Sequence, residues 1–227
     1  MYNKALTFSF DDGVTQDVRL IEILNRYGLK CTFNLNSDLL GRDGALVRMG
    51  REVTHIKNKP EDIKYIYEGH EVASHTRTHP NLCGLTDDEI VSETEEDRVR
   101  LSELCGYNVV GMAYPCGGVN NNEHVADVIA RRTNIKYVRT ITSTENFEPQ
   151  PYLYRFNPTV YHIEIDKMFA LGEKFLSLTP QTPKIFYIWG HSYEFDAMDS
   201  WERFEEFCKM MSGKPDIFYG TNRDILL

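Results

Sequence analysis

No two cysteines in this chain are spaced as CxxC, and the five present (Cys31, Cys83, Cys105, Cys116 and Cys208) are scattered and odd in number. That pattern excludes a complete disulfide framework and argues against a thiolate zinc site, so reduced thiols are expected. Basic clusters are missing too: 25 Lys and Arg stand against 34 Asp and Glu, no run of five or more cations occurs, and the formal net charge is −9. The chain therefore lacks the electrostatic footprint of a nucleic-acid binder. No apolar run approaches the roughly 20 residues of a membrane span. The N-terminal MYNKALTFSFDDG offers too few apolar residues before its two aspartates to make a signal-peptide core. No membrane partner is expected, and the chain as it stands reads as cytoplasmic; a secretion signal removed ahead of residue 1 would reverse that. Internal repeats, low-complexity tracts and linkers are also lacking, so residues 1–227 are expected to form one domain.

What is present is an alternation of short apolar runs with helical periodicity. Residues 6–10 read as a buried strand, Thr15 as a helix cap, and Val18, Ile21, Leu24 and Tyr27 as a helical face stopped by Gly28. Residues 31–35 form a second strand, and strand–helix–strand implies a parallel crossover. Residues 36–60 read as a loop insertion over one end of the sheet, residues 61–68 as a short helix, and residues 71–74 as a strand running into HTRTHPNL. The pair Thr86 and Glu89 reads as a capping box for a charged helix reaching about residue 104, its charge run a solvated face. Strands are expected at 109–113, 137–141, 160–163, 184–189 and 216–219. Helices fall between them: one from an Asn120/Glu123 box to residue 132, one over 166–178, and one opened by an Asp199/Glu202 box that carries Trp201, Phe204, Phe207 and Met211. Thr221 to Asp224 looks like the start of a further helix. The expected class is α/β, barrel-like and mostly parallel.

In such folds, reactive groups gather at the carboxyl ends of strands. Asp11 and Asp12 end the first strand in TFSFDDG, His75 and His79 follow the strand at 71–74, and YPCGG follows the strand at 109–113. Arg139 lies late in its strand, and His191 follows the strand at 184–189. Two imidazoles and a carboxylate are a ligand set for a divalent metal that leaves positions open for water and substrate. Alone, His75 and His79 between polar threonines read equally well as surface histidines; two aspartates can begin a helix, but Thr15 already offers a cap, so a functional role is favoured for Asp11 and Asp12. Joined, they make the inventory of a metal hydrolase. Neighbouring side chains in an extended segment point oppositely, so Asp11 and Asp12 are expected to divide the work, one holding metal and one acting on a proton, unless the strand ends between them. Gly13 beside them suggests a turn that needs unusual backbone freedom.

SFDDG, HTRTH and a late apolar strand ending in His resemble the polysaccharide deacetylase family, the NodB homology domain of carbohydrate esterase family 4, over roughly residues 4–191. The resemblance implies a distorted barrel of mostly parallel strands and helices, with Asp11 as catalytic base, Asp12, His75 and His79 as metal ligands, and His191 as general acid. It further implies that AYPCG at 113–117 stands at the family's third motif, so that Cys116 supplies a backbone N–H to the oxyanion. The implied activity is metal-dependent hydrolysis of the N-acetyl group of an amino sugar or oligosaccharide. The cofactor is a divalent ion, Zn²⁺ ahead of Co²⁺, Ni²⁺ or Fe²⁺.

Two departures stand out. Ala113 occupies the place of the motif arginine, so the usual partner of Asp11 is missing there; Arg139 either replaces it or is an ordinary salt-bridging residue. The family's aspartate that steadies the acid histidine has no clear counterpart, and Glu194 or Asp196 is offered for that place. Tyr114 and Tyr193 are candidates to stack on a sugar ring, Trp189 is read as core, and His55, His70, His124 and His162 as structural. Cys116 as a nucleophile partnered by His191 is a lesser reading. Rival functions are a catalytically silent carbohydrate-binding or regulatory protein, or a hydrolase of another linear or cyclic C–N amide bond. Oligomeric state is left open.

Overall fold

The computed structural model describes residues 3–227. Strand β1 (Lys4–Asp11) is buried along nearly its whole length, so both of its faces must be covered. Leu6, Phe8 and Phe10 point into a core shared with Phe195, Phe204 and Phe207 of the surrounding helices. The alternate residues Thr7, Ser9 and Asp11 are equally buried but polar, and face the other way.

The remaining strands are β2 (Cys31–Leu35), β3 (Ala45–Arg48), β4 (Arg51–Thr54), β5 (Glu71–Ser74), β6 (Gly111–Ala113), β7 (Tyr137–Arg139), β8 (Val160–Tyr161), β9 (Lys184–His191) and β10 (Ile217–Tyr219). All but β3 and β4 join one sheet in the order β7-β6-β5-β2-β1-β9-β8, with β10 paired to the first half of β1, and every pairing in it is parallel. β1 and β7 stand four strand spacings apart, roughly 19 Å in a flat sheet, yet the Arg139 guanidinium of β7 reaches the Asp11 carboxylate of β1 at 2.6 Å. The sheet therefore curls. Its two edges draw together through the segment at 156–159, where Phe156 N donates to Val138 O at 2.9 Å and Thr159 N to Tyr187 O at 2.7 Å. The distorted parallel barrel expected from the sequence is what forms.

The barrel interior is polar. Asn34 links Ser9 to Asp11, and lower down Thr7, Tyr187 and Thr32 converge on Asn222 of the C-terminal helix Asn222–Leu226. That helix closes the end remote from Asp11, and the capping box at Thr221 and Asp224 fixes its start.

Some expectations need correcting. Residues 36–60 are not structureless: β3 and β4 form a separate antiparallel hairpin. Met49 and Gly50 at its turn have φ of 51° and 76°, the backbone signs of a type I′ turn without its usual Asn-Gly sequence. Thr15 does not cap the first helix, which starts at Asp17 after Gln16 with no side-chain cap, and Val18 is exposed. Asn122, not Asn120, caps the helix Glu123–Arg132, because Asn120 is spent on the carbonyls of Pro115 and Cys116. The Asp199/Glu202 box does not form, since Asp199 takes a left-handed φ of 51° and the helix Trp201–Met211 begins after Ser200. The Thr86/Glu89 box does form, and the charged helix ends at Gly106 as expected, but it contains a wide turn at Ser92–Glu96 and buries Asp97. Asp97 accepts from Ser74 Oγ at 2.6 Å and Ser37 N at 2.7 Å, so this helix braces the strand end below His75 as well as facing solvent.

Gly190, one residue before His191, allows β9 to pass against the His162 ring: a Cβ there would lie 1.8 Å from His162 Cδ2. Gly190→Ala should therefore cost about 1–3 kcal/mol by overpacking, whereas Gly84→Ala, where an added Cβ meets nothing within 4 Å, should stay within about 0.5 kcal/mol. Urea denaturation of both variants checks this; equal costs would refute the packing argument.

Candidate active site

Register brings the chemistry to one rim. Asp11 pairs with Asn34 on one side and His191 on the other, Leu35 pairs with Ser74 just before His75, and Ala113 with Arg139. β1 ends at Asp11, and Asp12 takes φ 84°, so the chain turns left-handed between the two aspartates and both carboxylates reach the same cavity. Gly13 follows at φ 64°, where a Cβ would meet Leu35 Cδ2 at 2.6 Å. Thr76, His79 and Cys116 also hold positive φ. Such backbone costs of order 1–3 kcal/mol per residue, and its concentration on this rim marks where the fold is held against local preference.

Asp12, His75 and His79 each present a donor atom, all within 4.8 Å of one another. His75 Nδ1 lies 2.9 Å from the Ala113 carbonyl oxygen, which can only accept, so Nδ1 carries the proton and Nε2 is left with its lone pair. Burial pushes the His75 pKa down to about 4 and lowers that of His79, which keeps both rings in the neutral form a metal needs. Burial alone would raise Asp12, but the Lys57 ammonium and a hydrogen bond from His55 hold it well below the usual carboxylate range. Lys57 Nζ lies 3.1 Å from Asp12 Oδ1 and 2.6 Å from its main-chain oxygen, and His55 Nε2 lies 3.2 Å from Oδ2. A carboxylate offers about four acceptor sites, so these contacts leave room for a metal. The donor chemistry fits a divalent ion. His55, expected to be structural, thus belongs to the site, and Lys57 joins it with no signal in its local sequence; the insertion brings both in.

Asp11 stands beside this set and outside it. Arg139 Nη2 donates to both of its oxygens, at 2.6 Å to Oδ1, and Asn34 Nδ2 donates to Oδ1 at 2.8 Å. Neither member of the pair is more than 2% exposed. Arg139 also lies against the Trp189 ring, 4.6 Å from its centroid. Of the two readings open for Arg139, the structure selects the partner of Asp11.

Across the cavity, His191 Nε2 lies 4.0 Å from Asp11 Oδ2, and its Nδ1 lies 3.2 Å from Glu194 Oε2. Burial by itself would lower the His191 pKa; the Glu194 carboxylate overrides it and raises the value to about 9. Glu194 is held far below the usual range because burial is outweighed by His191 and His162. It accepts from His162 Nε2 at 2.9 Å, from Arg48 Nε at 2.8 Å and from Tyr161. Asp196 points elsewhere, to Gln16 and the Trp201 indole. Glu194, not Asp196, therefore supports His191, and His162 belongs to this network instead of serving only as packing. His70 and His124 lie away from the rim, bonded to Cys31 N and Asn25 and to Asp87.

The cavity enclosed by these groups has a volume of about 390 Å³. Tyr114 and Tyr193 border it, but Tyr114 is only 1% exposed and its hydroxyl donates to Tyr154 O at 2.9 Å, so most of this ring is core. Trp189 is buried as expected and stacks on Tyr161 at 4.0 Å while also lining the cavity. Cys116 lies on the rim with Sγ 3.9 Å from His79 Nδ1; among the described residues, its N–H meets no protein acceptor. Burial raises its thiol pKa, which opposes the nucleophile reading. A larger, more open groove of about 490 Å³ at the opposite end, beside Lys4 and Leu178, carries no such cluster among the described residues.

Curled parallel α/β barrel and Asp-His-His rim together define a barrel with a candidate metal site, flanked by the Asp11–Arg139 and His191–Glu194 pairs. The chain belongs to the polysaccharide deacetylase family, whose family model matches residues 2–138. It is 24% identical over 148 residues to the peptidoglycan-N-acetylglucosamine deacetylase PgdA of Listeria monocytogenes, covering 64% of this chain and 27% of that protein. It is 29% identical over 125 residues to the peptidoglycan-N-acetylglucosamine deacetylase of Bacillus cereus, covering 54% of this chain and 40% of the relative. The matched stretch thus spans well under half the length of either. A crystal structure of a polysaccharide deacetylase from Bacillus cereus superposes with a TM-score of 0.57 at 19% identity, covering 96% of this chain and 91% of that one, which establishes the shared fold.

Arg139→Met should cost about 3–5 kcal/mol, since it strands the Asp11 charge in the interior. Adding Asp11→Asn to that variant should recover a large part of the loss. Chemical denaturation of single and double variants checks this, and equal stability of the two would show that the pair is not what holds the interior.

Proposed function

We propose that this chain is a metal-dependent hydrolase that removes the N-acetyl group from an amino sugar or oligosaccharide, with Zn²⁺ as its metal. The observation that carries the reading is the Asp12–His75–His79 donor set, one carboxylate with two neutral imidazoles, flanked by an arginine-clamped Asp11 and a cationic His191. The sugar rests on the relatives, both named for acting on peptidoglycan N-acetylglucosamine.

A divalent ion bound there supplies an acidified water and a polarised acyl oxygen. Asp12, His75 and His79 would hold it. Asp11, fixed by Arg139 and Asn34, takes the proton from the attacking water at Oδ2, the oxygen that faces His75 and His191. The Cys116 N–H donates to the oxygen that gains charge as the carbonyl becomes tetrahedral. His191, protonated at neutral pH, gives its proton to the departing amine as the C–N bond breaks, and Glu194 keeps the ring oriented and charged. Tyr161, backed by the buried Trp189, and Tyr193 give the cavity an aromatic wall on which a sugar ring can pack.

Acetate release from N-acetylated chito-oligomers, abolished by chelator and restored by Zn²⁺ or Co²⁺, tests the activity; saccharide binding without acetate release from metal-replete protein would establish the silent alternative. Asp12→Ala should lose metal, while Asp11→Asn should keep it and lose about 10²–10⁴-fold in rate, as read by metal analysis and single-turnover kinetics. Equal metal loss in both would reject the division of labour. Because His191 must be protonated to act, the rate should fall as pH rises through its pKa of about 9. Glu194→Gln removes the charge that raised that pKa, so a pH–rate profile should show the fall at lower pH; an unmoved alkaline limb would assign the acid elsewhere.

A further inference from the structure

The cleft has a charge pattern that the proposed reaction does not require. Its three carboxylates, Asp11, Asp12 and Glu194, are each matched by a permanent cation: Arg139, Lys57 and Arg48. A divalent ion added to Asp12, His75 and His79 leaves the cleft net positive, within a protein whose formal charge is −9. Positive potential confined to a cleft of an acidic protein concentrates anions there.

The three cations are not equivalent. The side chains of Arg139 and Lys57 are 0% and 5% exposed, sealed beneath the rim, whereas that of Arg48 is 37% exposed and lines the cavity. Arg48 also comes from outside the barrel, on the β3–β4 hairpin. Its Nε donates to Glu194 Oε1 at 2.8 Å, its Nη2 lies 2.6 Å from the same oxygen as an ion pair, and Nη2 donates to Tyr161 Oη at 2.8 Å. Among the described residues, Nη1 and its two N–H donors meet no acceptor. Glu194 does not depend on this arginine for its hydrogen bonds, since His162 Nε2, His191 N and Tyr161 Oη already donate to it. What Arg48 adds is a guanidinium held in place by two groups, with its third nitrogen unpaired, on a half-exposed side chain that lines the cavity where the sugar would lie. Planar N–H donors of this kind suit an oxyanion.

We infer that Arg48 sets the specificity of the cleft, and that the substrate is an anionic saccharide carrying a carboxylate or phosphate beside the N-acylated ring. The inference rests on the deacetylase reading for the acylated ring and on Arg48 alone for the anion.

The test uses the Zn²⁺-loaded full chain and three saccharides: N,N′-diacetylchitobiose, its 6-phosphate, and the same disaccharide with one ring oxidised to a uronic acid. Equilibrium binding by calorimetry and acetate release are both measured. At least one anionic sugar should bind about tenfold more tightly than the neutral parent, the size expected of one charge-assisted hydrogen-bonding contact, and the preference should shrink as salt is raised. The phosphate and uronate arms identify which oxyanion is taken. In Arg48→Gln the ratio of anionic to neutral affinity should fall to about one. Arg48→Lys should retain part of it. Because each ratio is taken within one variant, a general loss through Glu194 and His191 cancels. Equal affinity for all three sugars in the wild type, or a ratio unchanged in Arg48→Gln, overturns the inference. Acetate release without charge preference would leave the deacetylase reading standing and remove this one; anion-selective binding that depends on Arg48, without acetate release, would do the reverse.

Discussion

The buried pair of Asp11 and Arg139 is the constraint around which the barrel is organised. It joins β1 to β7 across the interior, and a parallel sheet in that strand order meets the requirement only by curling on itself. A charge pair shut away from water needs hydrogen bonds for its remaining donors and acceptors. The odd-numbered residues of β1 and their neighbours answer most of that demand: Asn34 bonds Asp11, Ser9 accepts from Asn34, and Arg139 donates onward to Thr140 O, while Arg139 Nε and Asn34 Oδ1 are buried without a partner. The interior is therefore polar where many small barrels are filled with aliphatic side chains, and hydrophobic stabilisation comes from the outer layer, where the helices cover the even-numbered face. One decision about where to place a carboxylate thus sets the curvature of the sheet, the polarity of its interior and the direction in which the site faces.

The two aspartates diverge through their cations. Asp11 is gripped by a guanidinium that cannot lose its proton, within a hydrogen-bonded lattice of strand residues. Asp12 is approached by an ammonium and an imidazole delivered by the insertion, with its own backbone turned out of the strand. Adjacent in sequence, they sit in differently built environments, and one joins the candidate donor set while the other stays outside it.

Much of this architecture is legible in the amino-acid order alone. The apolar runs that end at Asp11, at Ser74 before His75 and at His191 announce strands, and in a parallel sheet their ends must fall on one side, so the rim assembles from pattern. The partnership of Arg139 can be raised that way but not decided, because it depends on curvature, a property of the whole sheet and not of any segment. The hairpin escapes pattern reading because its strands are four residues long, half exposed, and joined by Met-Gly in place of the usual Asn-Gly. With it go His55, Lys57 and Arg48, whose approach to the rim depends on where that insertion folds back, as in the contact of Val14 with Lys57. Glu194 and Asp196 lie two positions apart on a short helix, and only the placement of that helix tells which one faces His191. Two of the expected capping boxes fail for a local reason: the polar side chain is already committed, or its backbone is already left-handed.

The topology also has a consequence for how the chain is made. β1 is made before every other strand of the sheet and lies in its interior, yet the strand that pairs with its full length, β9, begins about 180 residues later, and β10 later still. At ordinary translation speeds of 5–20 residues per second, that is a wait of roughly 10–40 s. Throughout that interval the segment from Leu6 to Phe10, which ends fully buried, has at least one long edge unpaired on the ribosome. A nascent chain of this design therefore depends on early shielding by its first helix and by β2, or by cellular chaperones, well before its active site has all its parts.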